Sequence, residues 1–335
     1  MRSFFSMGSY FFYGMLLVCL GMVMAILFSA LVINPHTEAA TDYASSPYLI
    51  SPPPPLETPV NLKIITFNIA DGYLFTTNRR ERMRAIGALL TELDPDLVGI
   101  QESFVAKDRE VLFDALKDSR LRHHAVYPAA TVGNGLLTLS AYPIVESVFH
   151  RYRSNNAWYK IHQGDWWAGK GVGLARVELP SGAHIDFYNT HAQAGRRDEA
   201  NHRARYEQMG ELAAFINESR SGMAPAFVVG DFNTKMGRDD FQRALDEADL
   251  MTAVTMDTGI DFILASRDAG YRIEVLDTQT VEGIVRGSNA AIFLSRAPGL
   301  REFWRMHFGS AEDTQLSDHT GFMSTIVIQK PSVSS

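Results

Sequence analysis

Several features that define common classes of protein are missing from this chain of 335 residues. It has a single cysteine, Cys19, so no disulfide bond can form within the chain. Neither a G-x-S-x-G motif nor a G-x-x-x-x-G-K-[ST] motif occurs, which argues against a serine nucleophile elbow and a P-loop. The formal net charge is −7, whereas a protein that neutralises many DNA phosphates usually carries a basic face. The composition therefore argues against DNA as a ligand, although a local basic patch would still permit it.

A long uncharged segment near the N-terminus predicts a membrane anchor. No residue from Tyr10 to Ile33 is charged, and a helix of this length would span roughly 36 Å, enough to cross a hydrocarbon core. The apolar part of a cleaved signal peptide is usually shorter. We therefore expect residues 1–34 to form a signal anchor with one transmembrane helix, the alternative being a buried core helix.

The charges around this segment predict on which side of the membrane the rest of the chain lies. Arg2 precedes the segment, Glu38 and Asp42 follow it, and no Lys or Arg appears again before Lys63. The positive-inside rule then places the N-terminus in the cytoplasm and the remainder on the non-cytoplasmic side. Residues 35–60 are rich in proline, which favours an extended spacer over a packed element.

Residues 61–329 are expected to form one large α/β domain, followed by a short tail at 330–335. Two strand–helix–strand units are predicted in it, from apolar runs of strand length and from helical spacing of apolar residues. The first unit comprises residues 62–69, 78–93 and 97–101, and the second comprises residues 184–190, 198–220 and 226–230. In the first, Asn78 is expected to cap the helix together with Glu81. Shorter strands at 135–140, 172–178, 261–265 and 322–328 complete two packed sheets flanked by helices.

Six short segments place polar residues at or next to the ends of predicted strands. They contain Asn68 in TFNIADG, Glu102 in GIQES, His191 in NTHAQ, Asp231 and Asn233 in VVGDFNT, Asp261 in GIDFIL, and Asp318 with His319 in LSDHTGF. Carboxylate and amide oxygens suit Mg²⁺, and histidines move protons near neutral pH. Each residue alone also has an ordinary structural interpretation, such as a turn or a helix cap. Their shared position at strand ends favours a single site, because ligands of α/β sheets bind at that edge.

In this order, and over nearly all of residues 61–329, these segments resemble those of the endonuclease/exonuclease/phosphatase superfamily. GDFN followed far downstream by SDH is the most specific pair. The resemblance implies a four-layer α/β/β/α sandwich, that is, two packed mixed sheets flanked by helices, here behind the N-terminal transmembrane helix. It also implies a phosphodiesterase that depends on Mg²⁺, with Mn²⁺ as the alternative ion.

The resemblance further implies a role for the residues around the metal and the phosphate. Glu102 resembles the principal Mg²⁺ ligand and Asn68 its neighbour. Asp231 resembles the group that orients the attacking water, and Asn233 resembles one that holds a phosphate oxygen. His191 resembles the histidine that donates to the phosphate or to the leaving group.

The residues of the last two segments resemble those that handle the proton of the attacking water. His319 resembles the general base, with Asp261 as its orienting partner, and Asp318 resembles a supporting acid near the metal. Asp231 remains the alternative base. The chemistry is consistent, because an anionic phosphodiester repels a water nucleophile until charge is withdrawn from it and the water's proton is accepted.

Two further segments are similar to the neutral sphingomyelinase branch of the superfamily. They are GNGLLTLSAYPI at 133–144 and DWWAGKGVGLARVELPSG at 165–182. In the second, Lys170 follows Asp165, and we expect a coupling between them that positions the loop; the alternative is an ordinary solvated charge pair. The pairs Trp166-Trp167 and Phe303-Trp304 are candidates for contact with a bilayer interface or for ordinary hydrophobic contacts under loops.

The leading hypothesis is a membrane-bound enzyme that converts sphingomyelin to ceramide and phosphocholine. The expected partners are a phospholipid substrate and the membrane itself, with nucleic acid disfavoured by the charge and no obligate protein partner. A nuclease or a phosphoinositide phosphatase of the same superfamily is the second hypothesis. A non-catalytic lipid-binding domain is the third.

Overall fold

Two six-stranded β-sheets form the centre of the protein. The computed structural model describes residues 13–24, 46–72, 78–127, 133–155, 169–195, 198–222, 224–267, 270–286 and 313–331. The strands are β1 (Val60–Asp71), β2 (Leu97–Ser103), β3 (His123–Val126), β4 (Leu137–Ser140), β5 (Ile144–Arg151), β6 (Gly171–Glu178), β7 (His184–His191), β8 (Ala226–Asp231), β9 (Leu250–Thr252), β10 (Asp261–Ser266), β11 (Arg272–Val281), β12 (Ile284–Arg286), β13 (Asp313–Gln315) and β14 (Gly321–Gln329). After a helical stretch at residues 13–24, the helices are α1 (Pro47–Ile50), α2 (Arg79–Leu93), α3 (Ala106–Ala115), α4 (Glu199–Ser219) and α5 (Asp239–Glu247).

Each sheet is mixed and is built around one parallel pair of strands. The first sheet has the order β11-β14-β1-β2-β4-β3, the second has the order β5-β6-β7-β8-β10-β9, and β12 pairs with β13 separately. The parallel pairs are β1 with β2 and β7 with β8. Helix α2 connects the first pair and helix α4 connects the second, since parallel neighbours need a crossover connection. Both predicted strand–helix–strand units are therefore present.

Alternation of side chains along the strands produces three apolar layers. In β1, Ile64 faces a cluster between the two sheets that includes Phe187 and Phe227 of the second sheet. The next residue, Ile65, faces the opposite way and packs with Met83 of α2. A third cluster packs β7 and β8 against α4 and α5. Because successive residues point to opposite faces, this pattern gives helices on both outer sides and confirms an α/β sandwich of two packed mixed sheets.

The start of helix α2 differs from the prediction. Asn78 has φ 49° and makes no capping hydrogen bond with its side chain, so its predicted role as a cap is wrong. A capping residue needs an extended backbone that directs its side chain toward the first free N–H groups. At the start of α4, by contrast, the Asp198 carboxylate accepts hydrogen bonds from the N–H groups of Ala200 and Asn201.

Two residues of the predicted spacer, Ser46 and Leu56, contact the domain, whereas most of residues 51–59 are exposed. Residues 35–45 of the spacer lie outside the described residues, so the spacer as a whole stays a prediction. Ser46 is 3% exposed and donates to Glu146, and Arg176 in turn donates to the Ser46 hydroxyl. Leu56 is 2% exposed, and its N–H donates to the Tyr271 hydroxyl over 2.8 Å. Ser46 is close to the start of β7, where Arg176 is paired in register with Asp186. Leu56 lies four residues before the start of β1. Ser46 and Leu56 therefore connect this segment to the domain through hydrogen bonds.

The predicted membrane span is described only in part. Residues 13–24 are helical. Across the described ranges of the chain, none of the helices has both the length and the apolar character required to traverse a bilayer.

Candidate functional site

One edge of the sandwich collects the polar residues from both sheets. Asn68 and Glu102 lie near the ends of the parallel strands β1 and β2. In the second sheet, His191, Asp231 and Asp261 are paired in register across β7, β8 and β10. An antiparallel strand begins at the edge where its parallel neighbours end, so β10 and the segment before β14 also deliver their residues there. The structure thus brings together side chains that are far apart in the sequence.

Close approach of the strands explains the glycine of the GDFN segment. A Cβ atom on Gly230 would lie 2.1 Å from the carbonyl oxygen of Thr190 in β7. Only glycine permits this contact, and it sets Asp231 directly beside His191.

The backbone is left-handed at three non-glycine positions of this edge. The φ angles are 47° at Ala70, 58° at Glu102 and 51° at Asn233. Such angles cost energy for residues with a Cβ atom and persist where the surrounding structure enforces them. Glu102 adopts this conformation within β2, and its side chain is 31% exposed.

Asn68 lies between two carboxylates. Its amide nitrogen donates to Glu102 Oε1 over 3.0 Å and to Asp231 Oδ2 over 3.2 Å. Its amide oxygen accepts a hydrogen bond from the Ala70 N–H over 3.0 Å. In this orientation Asn68 holds the two acids together, and it would have to turn its amide to act as a metal ligand. Its role as a ligand stays a prediction.

The donor set at this edge fits a divalent cation. Ligand atoms of Glu102, His191 and Asp231 lie within 4.8 Å of one another. Two of them are carboxylates, the hard ligands that such ions require, and the partly exposed Glu102 leaves an entry path. Ligand atoms of a second group, of Asp231, Asp261 and His319, also lie within 4.8 Å of one another. The first group is the better candidate, because Asp261 and His319 already satisfy each other by a hydrogen bond.

Lys170 and His191 form a close pair within the site. Lys170 is 2% exposed, and its Nζ lies 2.6 Å from His191 Nε2. The same imidazole nitrogen is 3.4 Å from Asp231 Oδ2 and 3.9 Å from Glu102 Oε1. Sequence reasoning predicted Lys170 at the site, and the structure places it there. Its predicted partner Asp165 lies outside the described residues, as do both aromatic pairs.

Asp231 is the most enclosed acid of the site. Burial raises its pKa, but the hydrogen bond from His191 and the charges of His191, His319 and Lys170 outweigh burial and hold the pKa below its ordinary value. Its other oxygen accepts from the Asn233 N–H over 2.9 Å. The Asn233 amide nitrogen donates to the carbonyl of Ala192. Asp231 is therefore an ionised carboxylate fixed between two histidines.

His319 is held by Asp261 on one side and faces Asp231 on the other. Its Nδ1 lies 2.9 Å from Asp261 Oδ2, and its Nε2 lies 3.7 Å from Asp231 Oδ2. Burial lowers the pKa of His319, but the hydrogen bond and charge of Asp261, with Asp231 and Asp318, raise it to about 10. Burial and the charge of Asp231 raise the pKa of Asp261 to about 7, against the effect of His319. Asp318 is exposed, and its carboxylate accepts a long hydrogen bond from Ser317.

Sequence reasoning missed the polar residues that support the site from behind. Gln101 and Asn189 are fully buried, and their amides join the two sheets over 2.7 Å. Asn189 also donates to the carbonyls of Ile100 and Leu137. Their position in the sequence could have indicated them, since each is an amide residue inside an apolar strand and lies within two positions of a predicted site residue. Arg82 of α2 was also missed, and nothing in the local helical pattern marks it.

Comparison with known proteins identifies the family. The model of the Endonuclease/Exonuclease/phosphatase family matches residues 65–319, which include every predicted site residue. The chain belongs to this family. The match runs from within β1 to His319, two residues before β14, and so includes the polar edge between the two sheets.

Relatives of this family member include proteins named for sphingolipid cleavage. A putative neutral sphingomyelinase of Drosophila melanogaster is 34% identical over 179 residues, which is 52% of this chain and 40% of the relative. Sphingomyelin phosphodiesterase 2 of Homo sapiens is 32% identical over 177 residues, covering 52% and 41%. Inositol phosphosphingolipids phospholipase C of Schizosaccharomyces pombe is 32% identical over 139 residues, covering 42% and 32%. The matches thus span less than half the length of these relatives.

Solved structures show the same fold. Sphingomyelinase C from Streptomyces griseocarneus superposes with a TM-score of 0.56 at 19% identity, covering 79% of this chain and 99% of that protein. A beta toxin variant from Staphylococcus aureus with bound magnesium ions has a TM-score of 0.57 at 16% identity, covering 81% and 100%. At these identities the likeness concerns the fold of the family.

Proposed function

We propose that this chain is a Mg²⁺-dependent phosphodiesterase that cleaves sphingomyelin to ceramide and phosphocholine. The observation that carries the proposal is the pair of histidines on either side of one ionised acid. His191 Nε2 and His319 Nε2 lie 3.4 Å and 3.7 Å from the same oxygen of Asp231. A phosphodiester between them would meet a proton acceptor on one side and a proton donor on the other.

Glu102 is the principal ligand of the ion in this proposal, with Asn68 and Asp231 beside it. His191 lies next to this group but keeps the proton on Nε2 and is not assigned as a ligand. Mg²⁺ is the expected ion, because the ligands are oxygens and it keeps several waters, and Mn²⁺ is the alternative. When bound, the ion withdraws charge from the phosphoryl oxygens. A solved structural neighbour contains magnesium ions, which supports this choice.

The residues of the chain divide the proton movements between them. Against burial, the hydrogen bond and charge of Asp261 and the charges of Asp231 and Asp318 raise the pKa of His319, so its imidazole would be neutral at neutral pH only when a cation beside Asp231 offsets these charges. Asp261 accepts from Nδ1–H of His319, so that Nε2 of the neutral imidazole is the nitrogen that takes the proton from an attacking water. Asp231 orients that water, and it is the alternative base. The oxygen of the water forms the new bond to phosphorus, the bond to the ceramide oxygen breaks, and His191 supplies a proton to the leaving oxygen. Asn233 holds a phosphate oxygen, and Asp318 supports the metal side.

Lys170 extends the proposal to the substrate. The buried Lys170 side chain lies beside His191, where the anionic phosphate would lie. When its Nζ donates to the phosphate, His191 Nε2 keeps its proton for the leaving oxygen, and a charged donor in a water-poor site stabilises charge that grows in the transition state. Asp165 is proposed to hold the loop that carries Lys170, as the sequence predicts.

The choice of lipid rests on the names of the relatives. The relatives from Drosophila melanogaster and Homo sapiens are named for sphingomyelin. An inositol phosphosphingolipid is the second candidate, because one relative is named for it. Both lipids join a phosphodiester to a ceramide oxygen, so the same site would serve either. A nuclease is less favoured, given the net charge of −7.

The proposed location is a membrane, with the domain on the non-cytoplasmic side. The support is the uncharged run between Tyr10 and Ile33 and the single arginine before it. The helix of residues 13–24 falls within this run.

A panel of substrates tests the proposal. The purified chain is incubated with sphingomyelin vesicles, phosphatidylinositol phosphate vesicles and supercoiled plasmid, each with Mg²⁺ and with EDTA. We expect phosphocholine release from sphingomyelin with Mg²⁺ and none with EDTA. Release of inorganic phosphate from the inositol lipid, or nicking of the plasmid, without phosphocholine release would contradict the assigned substrate. Vesicle binding without any product would favour the lipid-binding alternative.

A further inference from the structure

A buried arginine lies beneath the site and contacts neither carboxylate of the candidate metal group by a hydrogen bond. Arg82, in the first turns of α2, is 1% exposed. Its Nε donates to the carbonyl oxygen of Leu316 over 2.9 Å, and its Nη1 donates to that of Ala70 over 3.2 Å. Its Nη2 donates to the carbonyl of Ile69 and also to that of Leu316. All three guanidinium nitrogens therefore bind backbone carbonyls.

These carbonyls belong to two segments separated by more than two hundred residues. Ile69 and Ala70 lie where the pairing of β1 with β2 shifts register, between Asn68 and Asp71. Leu316 lies between β13 and β14. At both places the backbone leaves the regular ladder, so its carbonyls need partners from elsewhere. Arg82 supplies partners to both segments at once.

Each segment carries residues of the site. Asn68 directly precedes Ile69, and His319 follows Leu316 by three positions. Ser317 adds a second link, because its hydroxyl donates to the Asn68 carbonyl over 2.6 Å and accepts from the His319 N–H over 3.1 Å. The distance between Asn68 and His319 therefore depends on the contacts that Arg82 and Ser317 make with both segments. We call this set of contacts the Arg82 joint.

We propose that Arg82 is a positioning residue that fixes the segment of Asn68 against the segment of His319. It acts without touching substrate, by setting where the Asn68 amide and the His319 imidazole lie relative to each other. The inference deepens the proposed function and rests on it for the assay of turnover. Its effect on divalent-ion binding does not depend on the identity of the lipid.

The Arg82 joint requires the planar shape of the guanidinium as well as its charge, because the three nitrogens donate to carbonyls on two segments. Burial lowers the pKa of Arg82, against the opposing charges of Asp71, Asp318, Asp108 and Glu102. A lysine would keep the charge but offers one compact ammonium in place of a planar fork. It cannot reach carbonyls on both segments with the same geometry. Arg82→Lys therefore separates geometry from charge.

The test uses the full chain and a matched control on the same helix. Arg84 is exposed and takes part only in a surface ion pair with Glu81, so Arg84→Lys serves as the control. Mg²⁺ binding is measured by isothermal titration calorimetry, and folding by circular dichroism melting. Turnover is measured on sphingomyelin vesicles and on bis(p-nitrophenyl) phosphate, a generic phosphodiester.

For folded Arg82→Lys we expect kcat to fall by about 10- to 100-fold, the loss that a shift of about 1 Å in a catalytic group produces. We expect KM to stay within about twofold, because substrate contacts are intact. The Mg²⁺ dissociation constant should rise several-fold, because Asn68, which donates to both Glu102 and Asp231, is displaced. Arg84→Lys should match the wild type. A folded Arg82→Lys enzyme with wild-type kcat and wild-type Mg²⁺ affinity would overturn the proposal.

Two outcomes need a second measurement. If Arg82→Lys does not fold, Arg82→Gln replaces it, since a neutral amide leaves no unpaired buried charge, and the same expectations and the same refutation apply to it. If the wild type releases no phosphocholine, the proposed substrate fails. The positioning role is then decided by Mg²⁺ affinity and by hydrolysis of the generic diester.

Discussion

Replacing Asp261 by asparagine tests the predicted proton relay at its best-defined contact. The Asp261 carboxylate is 4% exposed and lies 2.9 Å from His319 Nδ1. A hydrogen bond that involves a charged group contributes about 1.5–3 kcal/mol, which corresponds to a loss of about 10- to 150-fold in kcat if it acts only in the transition state. Asparagine has nearly the same shape, so the core around β10 should remain packed.

A second effect adds to this loss. The asparagine amide can donate to Nδ1, which would place the imidazole proton on Nε2 and leave that nitrogen unable to accept the proton of water. Reversal of a histidine tautomer in this way can lower kcat by about 10⁴-fold. We therefore expect a fall in kcat between about 10²-fold and 10⁴-fold, with KM little changed.

The assay is phosphocholine release at saturating sphingomyelin vesicles and saturating Mg²⁺. Asp257→Asn is the matched control, because Asp257 is exposed in the loop that leads into β10 and accepts only a local hydrogen bond from Gly259. Melting curves check that both variants are folded. If Asp261→Asn retains more than half of the wild-type kcat, His319 is not the base, and Asp231 takes its place in the account.

Three further predictions concern the metal, the buried lysine and the acid below the site. Glu102→Gln should weaken Mg²⁺ binding by at least about 10-fold in calorimetry, since even residues one contact away from a metal contribute 10- to 100-fold, and unchanged affinity would exclude Glu102 as a ligand. Lys170→Met should lower kcat by about 10²-fold by removing a charged donor, whereas the exposed Lys107→Met should have no effect on turnover. Asp71 has a pKa raised from 3.8 to about 7, first by burial and then by the charge of Asp108. The folded state therefore binds its proton more tightly than the unfolded state. The stability from this group is complete below about pH 4 and is lost as pH rises to about 7, by at most about 4 kcal/mol. In urea unfolding, Asp71→Asn should be less sensitive to pH over this range than the wild type, and parallel pH curves would contradict the assignment.

The sequence predicted the elements whose physical signals are local. The strands that carry Asn68, Glu102, His191 and Asp231 are short apolar runs, because both of their faces are covered, and such runs stand out. The edge strand β11 was not predicted, since most of its side chains are exposed and polar. Its place in the sheet depends on pairing with β14, which no local pattern reveals.

The support of the site depends on contacts over long sequence separations. The Gln101–Asn189 amide pair and the Arg82 joint connect residues 88 and 234 positions apart. An arginine on a helix normally indicates a solvent-exposed face, so burial of Arg82 follows only from the carbonyls that the two distant segments present. The contacts of Ser46 and Leu56 with the domain likewise had no local signal, because both residues lie in a segment whose composition favours a spacer. The site residues were therefore accessible to sequence reasoning, while the residues that fix their geometry were not.

The central claim is that water attacks the phosphorus of sphingomyelin at this edge of the sandwich. The most direct measurement is turnover of sphingomyelin vesicles by the full chain in ¹⁸O-labelled water, with Mg²⁺ or with EDTA, followed by mass spectrometry of both products. The account predicts one ¹⁸O atom in phosphocholine, none in ceramide, and no products with EDTA. Label in ceramide, or equal turnover with EDTA, would contradict it.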